Sequence, residues 1–170
     1  MTMNKIRLRD FDYTAKTFLS FFLATMLIGI FIGLGYVYFT TNMNASGTIE
    51  HYNGSEFHEN EIPEEFPKSL EAMILTTHAH VSSFSLISLI IGLIFYFNSI
   101  VSGKLKIFLM IEPFISIIIT FLSLWILRYV NPQFVYIVII SGTLMYLMCI
   151  TMILISLYEI MFKKNDTINY

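Results

Sequence analysis

His78 and His80 stand inside a long apolar run and are the residues of this chain best suited to chemistry. An ionisable group inside a bilayer is costly, so a histidine pair there marks a candidate functional site. Imidazole can ligate haem iron, hold copper or zinc, or hydrogen-bond one helix to another. Which of these applies depends on what else the chain can bring alongside.

For b-type haem, His78 is the first candidate ligand. Its axial partner would be His51 from a loop folded over the helices, His80 if the helix distorts, or Met145 or Met148 across the core. Arg128 and Tyr129 are placed to meet the propionates. Helix bundles host such sites because facing side chains reach the iron from opposite sides.

For copper or zinc, the His-x-His pair, Glu71, His51 and His58 offer nitrogen and oxygen ligands. The Met145, Met148 and Met152 series would suit Cu(I), although methionines at helical spacing are ordinarily core packing. The plainest reading makes the histidines hydrogen-bonding links between helices in a cofactor-free accessory subunit.

Glu112 is a separate candidate. A carboxylate within a span is expected to be protonated, paired or wet, which suits a proton relay or a quinone contact. The plainer expectation is that it reaches Lys104 or Lys106 at the membrane edge. Glu159 lies nearer the end of its run and is expected to be exposed.

The elements that must position these groups are membrane helices. Apolar residues make up 56% of the 170-residue chain and charged residues 13%, well below the usual charged share of soluble domains. Four apolar runs, roughly Thr17–Thr40, Ser69–Phe97, Leu105–Leu127 and Gln133–Tyr158, each reach the ~20 residues that cross a bilayer. The first is too long for a signal-peptide core and is read as a retained helix.

Basic residues set the expected orientation. Eight of the ten flank the cytoplasmic side of an N-in, C-in arrangement, and only Lys68 and Arg128 fall outside. The outer loop, Thr41–Lys68, is acidic, and Pro63 and Pro67 argue against a long regular helix in it. Within it, His51-Tyr52-Asn53-Gly54 reads as a turn with Asn-Gly at its corner. Asn44-Ala45-Ser46 and Asn53-Gly54-Ser55 are formal glycosylation sequons. Short connections at 98–104 and 128–132 force antiparallel neighbours. The expected fold is therefore an all-α, up-down-up-down four-helix membrane bundle in one domain.

Helical phase selects the expected inward faces. At about 100° per residue, Glu71, His78, Ser82, Ser85 and Gly92 fall within about 40° of one another, with His80 about 200° from His78. The third run aligns Glu112, Ser116 and Ser123, with Thr120 on the flank. The fourth aligns Ser141, Met145, Met148, Met152 and Glu159. The first offers Gly29, Gly33 and Gly35 for close helix approach.

The net charge of −2 carries no basic cluster, so nucleic acid is not an expected partner. The single cysteine, Cys149, excludes an internal disulfide and a thiolate cluster. No nucleophile–base arrangement, phosphate loop or zinc-protease motif occurs, and independent catalysis is not expected. The reading that follows is a small polytopic protein of the bacterial inner membrane. It would bind b-type haem near the outer leaflet and pass electrons between quinone and an outer-side partner. A copper- or zinc-binding or transporting protein, and a cofactor-free subunit of a membrane complex, are the alternatives.

Overall fold

The computed structural model describes residues 6–55 and 65–163. Its elements are α1 (Tyr13–Thr41), α2 (Ala45–Asn53), α3 (Leu70–Tyr96), α4 (Gly103–Tyr129) and α5 (Val135–Phe162), with short 3-10 turns at Leu8–Asp10 and Pro132–Phe134. All four expected spans are present, and α1, α3, α4 and α5 are long and apolar enough to cross a membrane. No strand occurs among the described residues.

Local chemistry explains the helix starts. Asp12, Asn44 and Ser69 each turn a side-chain oxygen onto a backbone N–H three residues ahead, which satisfies a donor the helix itself leaves unpaired. The helix α2 was not expected. It begins at the Asn44 cap and ends at Gly54, whose positive φ of 84° suits glycine. The residues His51, Tyr52 and Asn53 are therefore its last turn rather than a free corner. Gly47 sits so close to the Thr41 carbonyl that a Cβ there would collide with backbone.

The helices do not contribute equally. α5 packs against α1, α3 and α4, and α4 against α3. Helix α1 buries only Leu23, Ile30 and Thr41. Of its glycines, only Gly33 approaches a neighbour, the Tyr146 hydroxyl of α5, while Gly29 and Gly35 face open space. The expected glycine-mediated packing is thus confined to one position. α4 continues unbroken through the buried Pro113.

Two ends can be distinguished. At the α2 end, α2 lies over the bundle and Asn53 donates from its side-chain amide to the Leu127 carbonyl at 3.4 Å. At the other, the α3–α4 corner closes on α5. There Glu159, with 0% exposure, accepts hydrogen bonds from the Asn98 side chain (2.6 Å), the Ser99 backbone (2.7 Å) and the Ser99 hydroxyl (2.7 Å). The expectation of an exposed Glu159 is corrected: donors some sixty residues away in sequence envelop it.

Lys106 completes the corner. Its ammonium donates to the Tyr96 and Asn98 carbonyls, the latter at 2.7 Å, and lies over the rings of Phe95 and Tyr96. The Asn98 carboxamide oxygen accepts from the backbone of Ile100 and Val101. Leu8, fully buried, brings the N-terminal segment in through its own N–H to the Phe97 carbonyl.

Glu159→Ala strands three donors and is expected to lower stability by roughly 3 kcal/mol, the scale of unmade buried hydrogen bonds. Glu159→Gln keeps an acceptor and should lose less. Denaturant unfolding in detergent micelles of the two variants checks the order.

Candidate functional site

The interior polar groups form a seam between α4 and α5. Thr120 and Ser141 share a hydrogen bond of 2.7 Å, and the Ser116 hydroxyl donates to Glu112. Ser88 of α3 meets the Cys149 sulfur at 3.8 Å. Glu112, Ser116, Thr120, Ser123, Ser141 and Met145 are all buried, as their phase predicts. One Glu112 oxygen, Oε2, is buried without a partner among the described residues.

Glu112 does not reach the membrane edge. It lies nine residues into α4, about 14 Å from the helix start, and Lys106 is committed to the corner carbonyls. A buried carboxyl must be met by donors from its own surroundings. The pairing expected with Lys104 or Lys106 gives way to the bond from Ser116.

Both histidines are exposed, and it is His80 rather than His78 that makes contact with the bundle. The buried face of α3 is Met73, Ser88, Ile91, Gly92 and Phe95. Around the helix, at about 100° per residue, His80 lies about 60° from the centre of that face and His78 about 100°. His80 stacks on Phe84 (ring centroids 5.3 Å apart, 18° between planes) and on Phe121 of α4 (6.0 Å, 20°). His78 is exposed and lines a shallow groove of about 430 Å³ with Leu70, Glu71, Ile74 and Leu75. Of the stripe read as inward, Glu71, His78 and Ser82 are exposed and only Gly92 is buried, because packing is decided by the apolar face that includes Met73, Ile91 and Phe95.

Neither imidazole hydrogen-bonds to another side chain or to backbone among the described residues. Met145 is buried in the core cluster with Ile117, Phe121 and Leu124, on the opposite side of α3 from His78. The expected His78–Met145 pairing of axial ligands within the chain is not formed.

Depth can be read from the aromatic belt. Trp125 stacks on Tyr129 at 5.6 Å and donates its indole N–H to the Thr77 hydroxyl at 2.9 Å. Tryptophan and tyrosine settle at membrane–water boundaries. α3, at 27 residues, is about 40 Å long against ~30 Å of hydrocarbon. His78, one residue past Thr77, consequently sits at the boundary level, and His80 about one half-turn deeper.

His51 lies on α2 with its Nδ1 3.5 Å from the Glu65 carboxylate, and its ring meets Tyr52 edge-on. Burial pulls the His51 imidazole below its ordinary value of 6.5, the Lys68 charge pulls the same way, and Glu65 opposes both. Burial wins, and the ring is neutral at pH 7. Tyr52 is pushed up to about 12 by burial and by the neighbouring Tyr36. Arg128 donates from Nε to the Lys68 carbonyl at 3.1 Å and covers the Tyr129 ring. It ties the start of α3 to the end of α4. His58 falls outside the described residues. Among those described, no three His, Cys, Asp or Glu side chains converge on a metal-sized space.

Asn98, Ser99, Phe84, Phe121 and Tyr146 were not singled out in the sequence. The Phe84, Phe121 and Tyr146 rings were hidden among the chain's 16 phenylalanines and 10 tyrosines. Asn98 stood out only as an amide at the end of a span.

Fold and site together define a small polytopic helical-bundle membrane protein. Residues 42–167 match the Aq_1264_TM family model, a transmembrane helical domain, and the protein belongs to that family. The match begins directly after α1 ends and takes in α2 to α5. No curated protein and no solved structure matches the chain.

Because folding favours the neutral His51 ring, the unfolded segment binds a proton more readily than the folded one. Docking of α2 is therefore firmest above about pH 6.5 and weakens as pH falls through the lowered value. Hydrogen exchange of the α2 amides should quicken between pH 7.5 and 5 beyond its intrinsic pH dependence. His51→Gln should abolish that extra change.

Proposed function

We propose that the protein is a small redox-linked subunit of a membrane complex, with His78 as one axial ligand of a b-type haem. The observation that carries this reading is an imidazole at the boundary level, in an apolar groove, with no hydrogen-bond partner among the described residues. An unpaired polar group at that depth is costly, so a second chain or a bound group is called for to satisfy it.

The residues present fit one half of such a site. His78 supplies the ligand, and Leu70, Ile74 and Leu75 supply an apolar wall. Met145 is buried and His80 stacks on Phe121, which favours a second ligand supplied by a neighbouring chain over one from these two residues. At the same end, Arg128 spends one N–H on Lys68 and its other donors suit a propionate. The haem, when bound, would carry single electrons between quinone and an outer-side partner. The charge distribution of the sequence favours the bacterial inner membrane with this groove facing away from the cytoplasm.

A second reading rests on Glu71. It lines the same groove two turns before His78, so the two offer an oxygen and a nitrogen to copper or zinc, with further ligands from a partner.

The complex, extracted in mild detergent from its own membrane, should show a Soret band and sharpened bands on dithionite reduction, both lost in His78→Ala. Near-stoichiometric copper or zinc without a Soret band would replace the first reading with the second. A colourless, metal-free complex would overturn both and leave a cofactor-free accessory subunit whose His78 bonds to a partner helix.

A further inference from the structure

Glu112 is only 5% exposed, and one of its two carboxyl oxygens is unmet. Ser116 donates to Oε1, while Oε2 is buried with no partner among the described residues. A second acceptor lies on the same helix. Pro113 has no N–H, so the buried Leu109, four residues earlier, carries a carbonyl without its usual helical donor. At about 100° per residue, Leu109, Glu112 and Ser116 fall within about 60° of one another on α4.

The neighbouring helices bring further groups to this level. The Thr120–Ser141 bond sets the antiparallel register of α4 and α5. Eight residues back along α4 and eight on along α5, about 12 Å in each case, Glu112 and Cys149 stand level. They are near enough to interact electrostatically. Ser88 of α3 meets the Cys149 sulfur at 3.8 Å.

Helix α3 also leaves room here. The Trp125–Thr77 bond fixes its register against α4 and places Ser88 and Gly92 on either side of the Glu112 level. Gly92 is buried on the same face as Ser88, and a Cβ built on it would meet no atom within 4 Å.

Acceptors are thus in excess. The Ser116 proton is spent on Oε1, and Ser88 and Cys149 are engaged with each other. Lys106, the nearest cation along α4, is held by the corner carbonyls. Unmet acceptors in a water-poor interior are satisfied by a cation. Oxygen donors select a hard ion, and a single carboxylate balances a single positive charge. Backbone carbonyls released from helical bonding coordinate sodium in other membrane helices.

We propose that Glu112 Oε2, the Leu109 carbonyl and the Ser116 hydroxyl bind a monovalent hard cation of sodium size, in the space beside Ser88 and Gly92. The ion meets the orphaned oxygen and adds to the cohesion of α3, α4 and α5. It gives Glu112, considered above for a proton relay or a quinone contact, a different occupant. The site is separate from the His78 groove and does not depend on the haem reading.

The full chain in mild detergent would be unfolded thermally across a sodium chloride series, with choline chloride holding the ionic strength constant. The midpoint should rise with sodium and level off, because a ligand of the folded state alone stabilises by mass action. Glu112→Gln keeps the shape of the side chain and removes its charge. Apparent sodium affinity should fall about tenfold in that variant and several-fold in Ser116→Ala. Equilibrium dialysis of the parent against radioactive sodium reads occupancy without any variant, and a single ion per chain is expected. No bound sodium in the dialysis, or a midpoint that responds to sodium no more than to choline, would overturn the site. A sodium response left intact by both substitutions would also overturn it. Should Glu112→Gln fail to fold, the dialysis and Ser116→Ala still decide.

Discussion

A carboxylate with no exposed surface, at the end of a membrane helix, has to be met by donors from the chain that carries it. Glu159 is met by Asn98 and Ser99 from the α3–α4 corner. Lys106 supplies a positive charge to the corner carbonyls from the far side. In water such bonds would exchange with solvent at little net gain, whereas in a bilayer the alternative is an orphaned polar group. The interaction therefore fixes where α3 ends, where α4 begins, and how both stand against α5.

The rest of the bundle follows from that anchoring. With the corner held, α4 and α5 run antiparallel in a register that brings Thr120 to Ser141 and buries Glu112 with Ser116. α3 is rotated to put Met73, Ile91 and Phe95 inward. That rotation leaves His78 facing out and brings His80 onto Phe121. Two histidines two residues apart thus acquire different surroundings: one in an apolar groove, one stacked on Phe84 and Phe121. Both are at the level where Trp125 reaches Thr77.

Much of this was legible in the sequence, for identifiable reasons. The spans were visible because hydrocarbon thickness imposes a length that 20 or more apolar residues meet. The α4 and α5 seams were visible because polar residues recurred at helical spacing in otherwise apolar runs. The inward face of α3 is not legible from polarity, because Glu71, His78 and Ser82 share a phase and yet are exposed. Polar residues near a membrane boundary can point outward, and the large apolar residues set the packing. Glu159 was misjudged because proximity to a helix end suggested solvent, while its donors lie far away in sequence. α2 was missed although Asn44 and Gly54 carried its cap and stop signals. Its nine residues are too few for periodicity to register, and it is held by Asn53 and Tyr52 against the bundle.

The central claim is the rotation of α3, since the placement of both histidines depends on it. Nitroxide labels placed at positions 78 and 80, one at a time, in a Cys149→Ser chain in nanodiscs would test it by electron paramagnetic resonance. The account predicts a mobile label with high accessibility to oxygen or polar relaxants at 78, and an immobilised, less accessible one at 80 against Phe84 and Phe121. A mobile label at 80 with a shielded one at 78 would contradict it, and would return His78 to the interior of the bundle.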